Sequence, residues 1–297
     1  MPSDVIQWFP GHMAKTRRLM QECLSQVDIS IEILDARIPW ASKNPEIKKI
    51  LGAKPILTLL SKSSLADPDV TASWIKHYRS LGIRCLAYDA ITGEGKASLL
   101  PAIQDALSDK LARYAEKGMS GRHIRAMVVG IPNVGKSTLI NHLAGSKKAK
   151  AENRPGVTTS KQWISTEIGI DLLDMPGVLW PKFDDRKTGE NLAITGAIKD
   201  AVLNIDEIAM ILCDRVRESY SALLCERYKL CREEIEPLDA YDLFMLIGKR
   251  RGFLMSGGAV DETRTAKTLL DDFRNAKTGR ISLERPIKKT RTEESNA

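Results

Sequence analysis

Residues Gly130-Ile-Pro-Asn-Val-Gly-Lys-Ser137 match G-x-x-x-x-G-K-[ST], and that run restricts what can surround it. The pattern cradles phosphate only where a strand ends and a helix begins. There, successive backbone N–H groups face one anion at the positive end of the helix. The flanks supply both halves: Ala126-Met-Val-Val129 reads as a short buried strand, and Thr138-Leu-Ile-Asn-His-Leu-Ala144 as an amphipathic helix. Gly130 and Gly135 let the backbone bend. Lys136 is expected to reach the β- and γ-phosphates and Ser137 to ligate Mg²⁺, with Asn133, Val134, Gly135 and Thr138 completing the cradle.

The sequence around the loop predicts an α/β domain with a mostly parallel sheet. Ile29-Ser-Ile-Glu-Ile-Leu-Asp35 alternates and ends on an acid, Pro55-Ile-Leu-Thr-Leu-Leu60 is a continuous apolar run, and Ile83-Arg-Cys-Leu-Ala-Tyr88 is a third strand. Helices are expected over residues 14–26, 69–81 and 97–115. Residues 163–167 and 170–174 read as a hairpin turning at Ile168-Gly169. After about residue 180 the strand signals stop and the pattern is helical, with a last helix at 261–275. The expected division is a nucleotide domain over 1–185, a small all-helical domain over 186–280 and a polar, disordered tail over 281–297.

Composition narrows the function classes. At 297 residues and 43% hydrophobic the chain can bury an ordinary core, and its net charge of +7 favours an anionic partner such as nucleic acid. Five scattered cysteines with no CxxC pair suit reduced thiols, and the first residues resemble neither a signal nor a transit peptide, so a cytoplasmic monomer without membrane attachment is expected. Lys249-Arg-Arg and the basic positions Arg274, Lys277, Arg280, Arg285, Lys288, Lys289 and Arg291 are candidates for a phosphate backbone.

Two further segments fit a nucleotide switch. Asp174-Met-Pro-Gly177 ends a strand, where the Asp can hold Mg²⁺ beside Ser137 and the Gly177 N–H can meet the γ-phosphate. Between it and the loop lies Arg154-Pro-Gly-Val-Thr-Thr159, whose Thr158 is placed to close on Mg²⁺ when a γ-phosphate is present. Val178 occupies the place where Ras-like enzymes carry a Gln that orients water, and it has no polar group to offer.

Together with the opening Trp8-Phe-Pro-Gly-His-Met13, Asp35-Ala-Arg-Ile-Pro39 and the closing Asp272-Phe-Arg and Gly279-Arg-Ile-Ser-Leu-Glu284-Arg-Pro286 segments, these motifs resemble the circularly permuted GTPases of ribosome assembly, of the ribosome biogenesis GTPase A type. The resemblance implies GTP and GDP as ligands and the large ribosomal subunit, its RNA and its assembly intermediates as partners. It also implies base-recognition motifs that precede the phosphate loop: Ser61-Lys62-Ser63-Ser64 for guanine and Asp89-Ala90-Ile-Thr92 backing the base. It further implies His12 as the group acting on the attacking water, alongside Lys136 and Thr158, and Asn133 as a ligand for K⁺. The guanine motif departs from the family's N-K-x-D. Ser64 stands where the family has Asp and cannot make a bidentate carboxylate contact, so weakened guanine affinity and tolerance of ATP are expected. The alternative functions are an NTPase of relaxed base specificity and an RNA-binding factor that uses nucleotide only structurally.

Overall fold

The computed structural model describes residues 10–119, 121–145, 162–180, 183 and 185–286. The first part runs α1 (Pro10–Cys23), β1 (Ile29–Asp35), α2 (Pro45–Leu51), β2 (Ile56–Ser61), α3 (Pro68–Ser80), β3 (Arg84–Ala87), α4 (Lys96–Ala106), α5 (Ser108–Glu116), β4 (Ile124–Gly130), α6 (Lys136–Ala144), β5 (Gln162–Ser165) and β6 (Ile170–Asp174). The second is helical: α7 (Arg186–Ile194), α8 (Ile205–Tyr228), α9 (Arg232–Ile235), α10 (Ala240–Arg250) and α11 (Glu262–Arg274). The six strands form one sheet in the order β3-β2-β1-β4-β6-β5, parallel except for the β5–β6 pair at one edge. Strand order reverses between β1 and β4, which is where open α/β sheets hold ligands, at the carboxyl ends of the strands.

All seven residues of β1 are buried, so its alternation is one of polarity and not of exposure. Glu32 accounts for the difference. Its carboxylate lies 3.6 Å from the Lys43 ammonium and accepts from the Thr58 hydroxyl, while burial raises its pKa against those partners. One face of the sheet is covered by α1 and α2 through Met20, Cys23, Ile47 and Leu51, packed on Met127, Val129, Leu173 and Met175. α3 packs Trp74 and Tyr78 near Leu34 and Leu60. The remaining core is continuous from Ile31 and Val128, through Leu179, Trp180 and Leu192, to Leu212, Phe244 and Phe273 of the helical part.

Three sequence expectations change. The run 97–115 is two helices, because Leu107 leaves helical geometry (φ −114°, ψ 10°) as its side chain enters the core. The seven residues of α2 are too short to show a helical period in the sequence, although Asn44 caps the helix by accepting from Glu46 N and Pro45 opens it. The disordered tail was expected from residue 281, yet residues 281–286 pack onto the first part. Ile281 N donates to Leu65 O, Leu283 N to Arg37 O, and the half-buried Glu284 carboxylate accepts from Trp40 N, Ala41 N and Asn191 Nδ2. The rest of that tail lies outside the described residues. Among the described residues no helix is long and apolar enough to cross a membrane. All five cysteines are free thiols, with Cys23, Cys85 and Cys213 buried.

Candidate functional site

The β4–α6 turn takes up backbone geometry that few sequences allow. Gly130 (φ 152°), Asn133 (φ 56°) and Gly135 (φ 105°) all have positive φ. A Cβ on Gly130 would lie 2.6 Å from Ile33 O, so the loop can sit against β1 only with glycine there. Lys136 opens α6 and folds back over the loop, its Nζ donating to Ile131 O at 2.7 Å and to Gly130 O at 3.3 Å. Burial lowers its pKa to about 8, a fall opposed by the charge of Asp174 and reinforced by that of Lys62. Ser137 is half-buried behind it and Thr138 exposed, while Val134 is buried.

Asp174 ends β6 opposite Val128 of β4 and is buried beside the loop. The turn that follows touches the loop directly. Val178 N donates to Gly130 O at 3.2 Å, and a Cβ on Gly177 would lie 2.8 Å from both Lys136 Nζ and Pro132 Cα. Gly177 is therefore required by closeness of approach. Val178 packs against the cluster that holds α1 and Met175, and its carbonyl accepts from Asn44 Nδ2. The donor set suits Mg²⁺. One serine hydroxyl and one carboxylate are hard oxygen ligands, and among the described residues no larger cluster of acids, His or Cys could cage a metal. A cation held by so few protein atoms is one that also takes phosphate oxygens and water. Thr158 lies outside the described residues, as does the side chain of His12, whose backbone belongs to the first turn of α1.

On the other side of the loop stand the ends of β2 and β3. The Ser61 hydroxyl is 2.6 Å from Val134 O and 2.9 Å from Leu34 O, and Lys62 Nζ donates to Asn133 O at 2.7 Å. Lys62 (φ 56°) also meets Asp35 Oδ2 at 3.2 Å. Asp35 is clasped by the Arg37 guanidinium at 2.9 and 2.7 Å. Burial opposes its ionisation, and the charges of Arg37 and Lys62 more than compensate, holding its carboxyl far below the usual range. Ser63 Oγ donates to Glu94, and Ser64 Oγ donates to Asp89 Oδ2 at 2.5 Å. Asp89 Oδ1 accepts from Ile91 N and Thr92 N, which closes the turn that carries the half-buried Ala90. The chain thus brings Ser61 and Lys62 against Asn133, Val134 and Gly135, and joins the Ser63–Ser64 turn that follows them to the turn of Asp89 and Ala90, although all of these precede the loop in sequence.

The helical part reaches this site at several points that sequence reasoning missed. Asn133 Nδ2 donates to Gly196 O at 2.8 Å, just after α7. Buried Arg37 donates to Arg274 O and lies 5.1 Å from the Phe273 ring centroid. Arg280 donates to Ser63 O and Ala66 O at 2.8 Å. Arg274 donates to Ala193 O and Ile194 O and pairs with Asp200. These two arginines, counted among the basic candidates for RNA, are therefore spent on internal contacts. Lys249, Arg250 and Arg251 are exposed, with Arg250 paired to Glu234. The D-x-R spacing at Asp35–Arg37 and the Glu in the closing segment were visible in the sequence, but their partners are more than 200 positions apart along the chain.

Residues 125–240 match the 50S ribosome-binding GTPase family. The chain is 46% identical over 281 residues to ribosome biogenesis GTPase A of Bacillus pumilus, covering 95% of this chain and 99% of that protein. It is 48% identical over 282 residues to the same-named protein of Priestia megaterium, covering 95% and 97%. A mouse mitochondrial ribosome-associated GTPase 1 is 31% identical, covering 96% of this chain and 91% of that protein. Among solved structures, GDP-bound YlqF superposes with a TM-score of 0.67 at 24% identity, covering 91% of this chain and 99% of that one, a likeness of fold. With the 61–64 and 89–92 loops preceding the phosphate loop in sequence while following β2 and β3 of the same sheet, and such identity along almost its whole length, the chain belongs to the ribosome biogenesis GTPase A family of circularly permuted GTPases.

Proposed function

We propose that this protein binds GTP with Mg²⁺, hydrolyses it, and uses the cycle to enter and leave assembling large ribosomal subunits in the cytoplasm. The observation that carries the reading is the convergence of Lys136, Asp174 and Gly177 on one turn, with the 61–64 and 89–92 loops on its far side. Lys136 and the loop amides would hold the phosphates. Ser137, Asp174 and Thr158 would share the Mg²⁺, which neutralises developing charge when bound. With Val178 turned to the α1 cluster, the water needs another polar partner. His12, in the first turn of that same helix, is the residue we assign to it, because a neutral imidazole can accept or orient a proton near pH 7. K⁺ at Asn133 is a finer part of the proposal: its amide nitrogen is fixed on Gly196 O, which fixes the orientation of the amide as a whole. The division into a nucleotide domain over 1–185 and a ribosome-binding helical domain over 186–280, acting as a monomer, belongs to the same reading.

GTP turnover measured with and without purified 50S particles tests the proposal. Slow release of phosphate alone, a rise of about tenfold or more with particles, and loss of both in Lys136→Ala are expected. Equal rates with and without particles would sink the ribosomal role. Undiminished particle maturation in Lys136→Ala would mean that the nucleotide is only structural.

A further inference from the structure

The carboxylate missing from position 64 is present one loop away. Ser64 donates to Asp89 Oδ2 twice, through Oγ at 2.5 Å and through N at 3.3 Å, while Asp89 Oδ1 accepts from Ile91 N at 2.8 Å and Thr92 N at 3.0 Å. These four donors fill the acceptor sites of a carboxylate. Asp89 is 2% exposed, whereas Ser64 is half-buried. Burial opposes ionisation of Asp89, but the donors from Ser64, Thr92 and Ile91 outweigh it and keep the acid charged. Other acids nearby are already committed: Asp67 caps α3 through Asp69 N and Val70 N and accepts from the Tyr220 hydroxyl, Asp35 is held by Arg37 and Lys62, and Glu94 accepts from Ser63 Oγ.

A serine hydroxyl has one proton and two lone pairs. Ordinarily it can turn either toward a ligand, so it serves a donor or an acceptor equally well. Here the proton is fixed on a buried anion, and the side of Ser64 away from Asp89 can only accept. The direction of a bound nucleotide is also set. Gly177 and Asp174 close on Lys136 at the phosphate end, so the base end must run toward β2 and β3, where Ser61 and Lys62 already touch the loop. Guanine presents N–H donors at N1 and its 2-amino group; adenine presents a bare acceptor at N1.

Resting on the nucleotide-binding reading above, we propose that Ser64 and Asp89 form a single acceptor unit that reads the N–H edge of the base and selects guanine over adenine. The acid has moved to the second loop and acts through the hydroxyl it orients. This revises the expectation that Ser64 relaxes base choice.

The test is equilibrium binding of fluorescent GDP and ADP to the full chain with Mg²⁺, with inosine diphosphate, which keeps N1–H and lacks the 2-amino group, as a competitor. Wild type is expected to prefer GDP over ADP by about tenfold or more, with inosine diphosphate between them. In Asp89→Asn the new amide can face Ser64 with its own N–H, the hydroxyl proton is released to turn outward where adenine N1 can accept it, and the GDP-to-ADP affinity ratio is expected to fall about tenfold. Ser64→Ala should lose the preference equally. Asp89 also closes its own turn, so the exchange variant Ser64→Asp/Asp89→Ser is the control for misfolding: it returns the carboxylate to the first loop and should regain the preference. An unchanged GDP-to-ADP ratio in both Asp89→Asn and Ser64→Ala overturns the inference. So does a wild type that binds the two equally while still depending on Lys136, an outcome that leaves the phosphate-binding reading standing. A wild type that binds neither overturns both.

Discussion

Lys136 shows how one side chain couples charge to function. In water a lysine titrates near 10.4, and here burial brings it to about 8. The folded chain therefore binds its proton less tightly than the unfolded chain does. The burden of a buried charge is full below pH 8 and relieved as pH rises from 8 toward the ordinary value, so this group's contribution to stability increases with pH across that window. Phosphate reverses the preference, because an anion beside Nζ favours the ammonium. Nucleotide binding above pH 8 must then take up a proton, and affinity should fall by up to about tenfold per unit between pH 8 and 9. Calorimetry of GDP binding in two buffers of different ionisation enthalpy measures that uptake directly, and Lys136→Arg, charged throughout, should abolish both uptake and slope. The residue and its place at the start of a helix could be read from G-x-x-x-x-G-K-S. Its pKa could not, since that depends on Asp174 and Lys62 arriving from strands on either side.

At the level of elements, legibility followed local chemistry. β1 and the core of α3 stand where apolar spacing put them, because both signals are contained in a few consecutive residues. α2 went unread although Asn44-Pro45-Glu46 is an N-cap followed by a proline, since its seven residues are too few to show a period. The break at Leu107 had no local signal at all: it answers to a place in the core. α3 offers a test of how firmly an element is anchored. Asp67 satisfies its first N–H groups and also accepts from Tyr220 of α8, so it joins the nucleotide side to the helical side. Asp67→Ala should cost about 1–2 kcal/mol, read as a lower midpoint in urea with an unchanged slope. Tyr220→Phe should cost less, since it leaves the cap intact.

Across the whole molecule, what the sequence could not reveal was closure. The segment 280–284 runs back across residues 63–67 and 37–41. Arg280 holds Ser63 O and Ala66 O, Ser282 accepts from Asp67 N, and Glu284 gathers Trp40, Ala41 and Asn191. Truncation after Gly279 should lower the thermal midpoint by several degrees and weaken GDP binding, and restoring residues 280–286 should recover both. If the shortened chain melts and binds like the full one, the segment is an ornament and not a brace. Asn133 on Gly196, Arg37 on Arg274 and this segment together tie the site to the helices at three points, so movement in one has a physical route to the other. The same arrangement has a consequence for synthesis. A chain leaves the ribosome amino end first, and the turn carrying Ser63 and Ala66 emerges more than two hundred residues before Arg280, the arginine that holds its carbonyls. Until that arginine is free of the exit tunnel, the nascent protein carries this turn without the guanidinium that holds it. The turn is thus braced only after all the helices have been made.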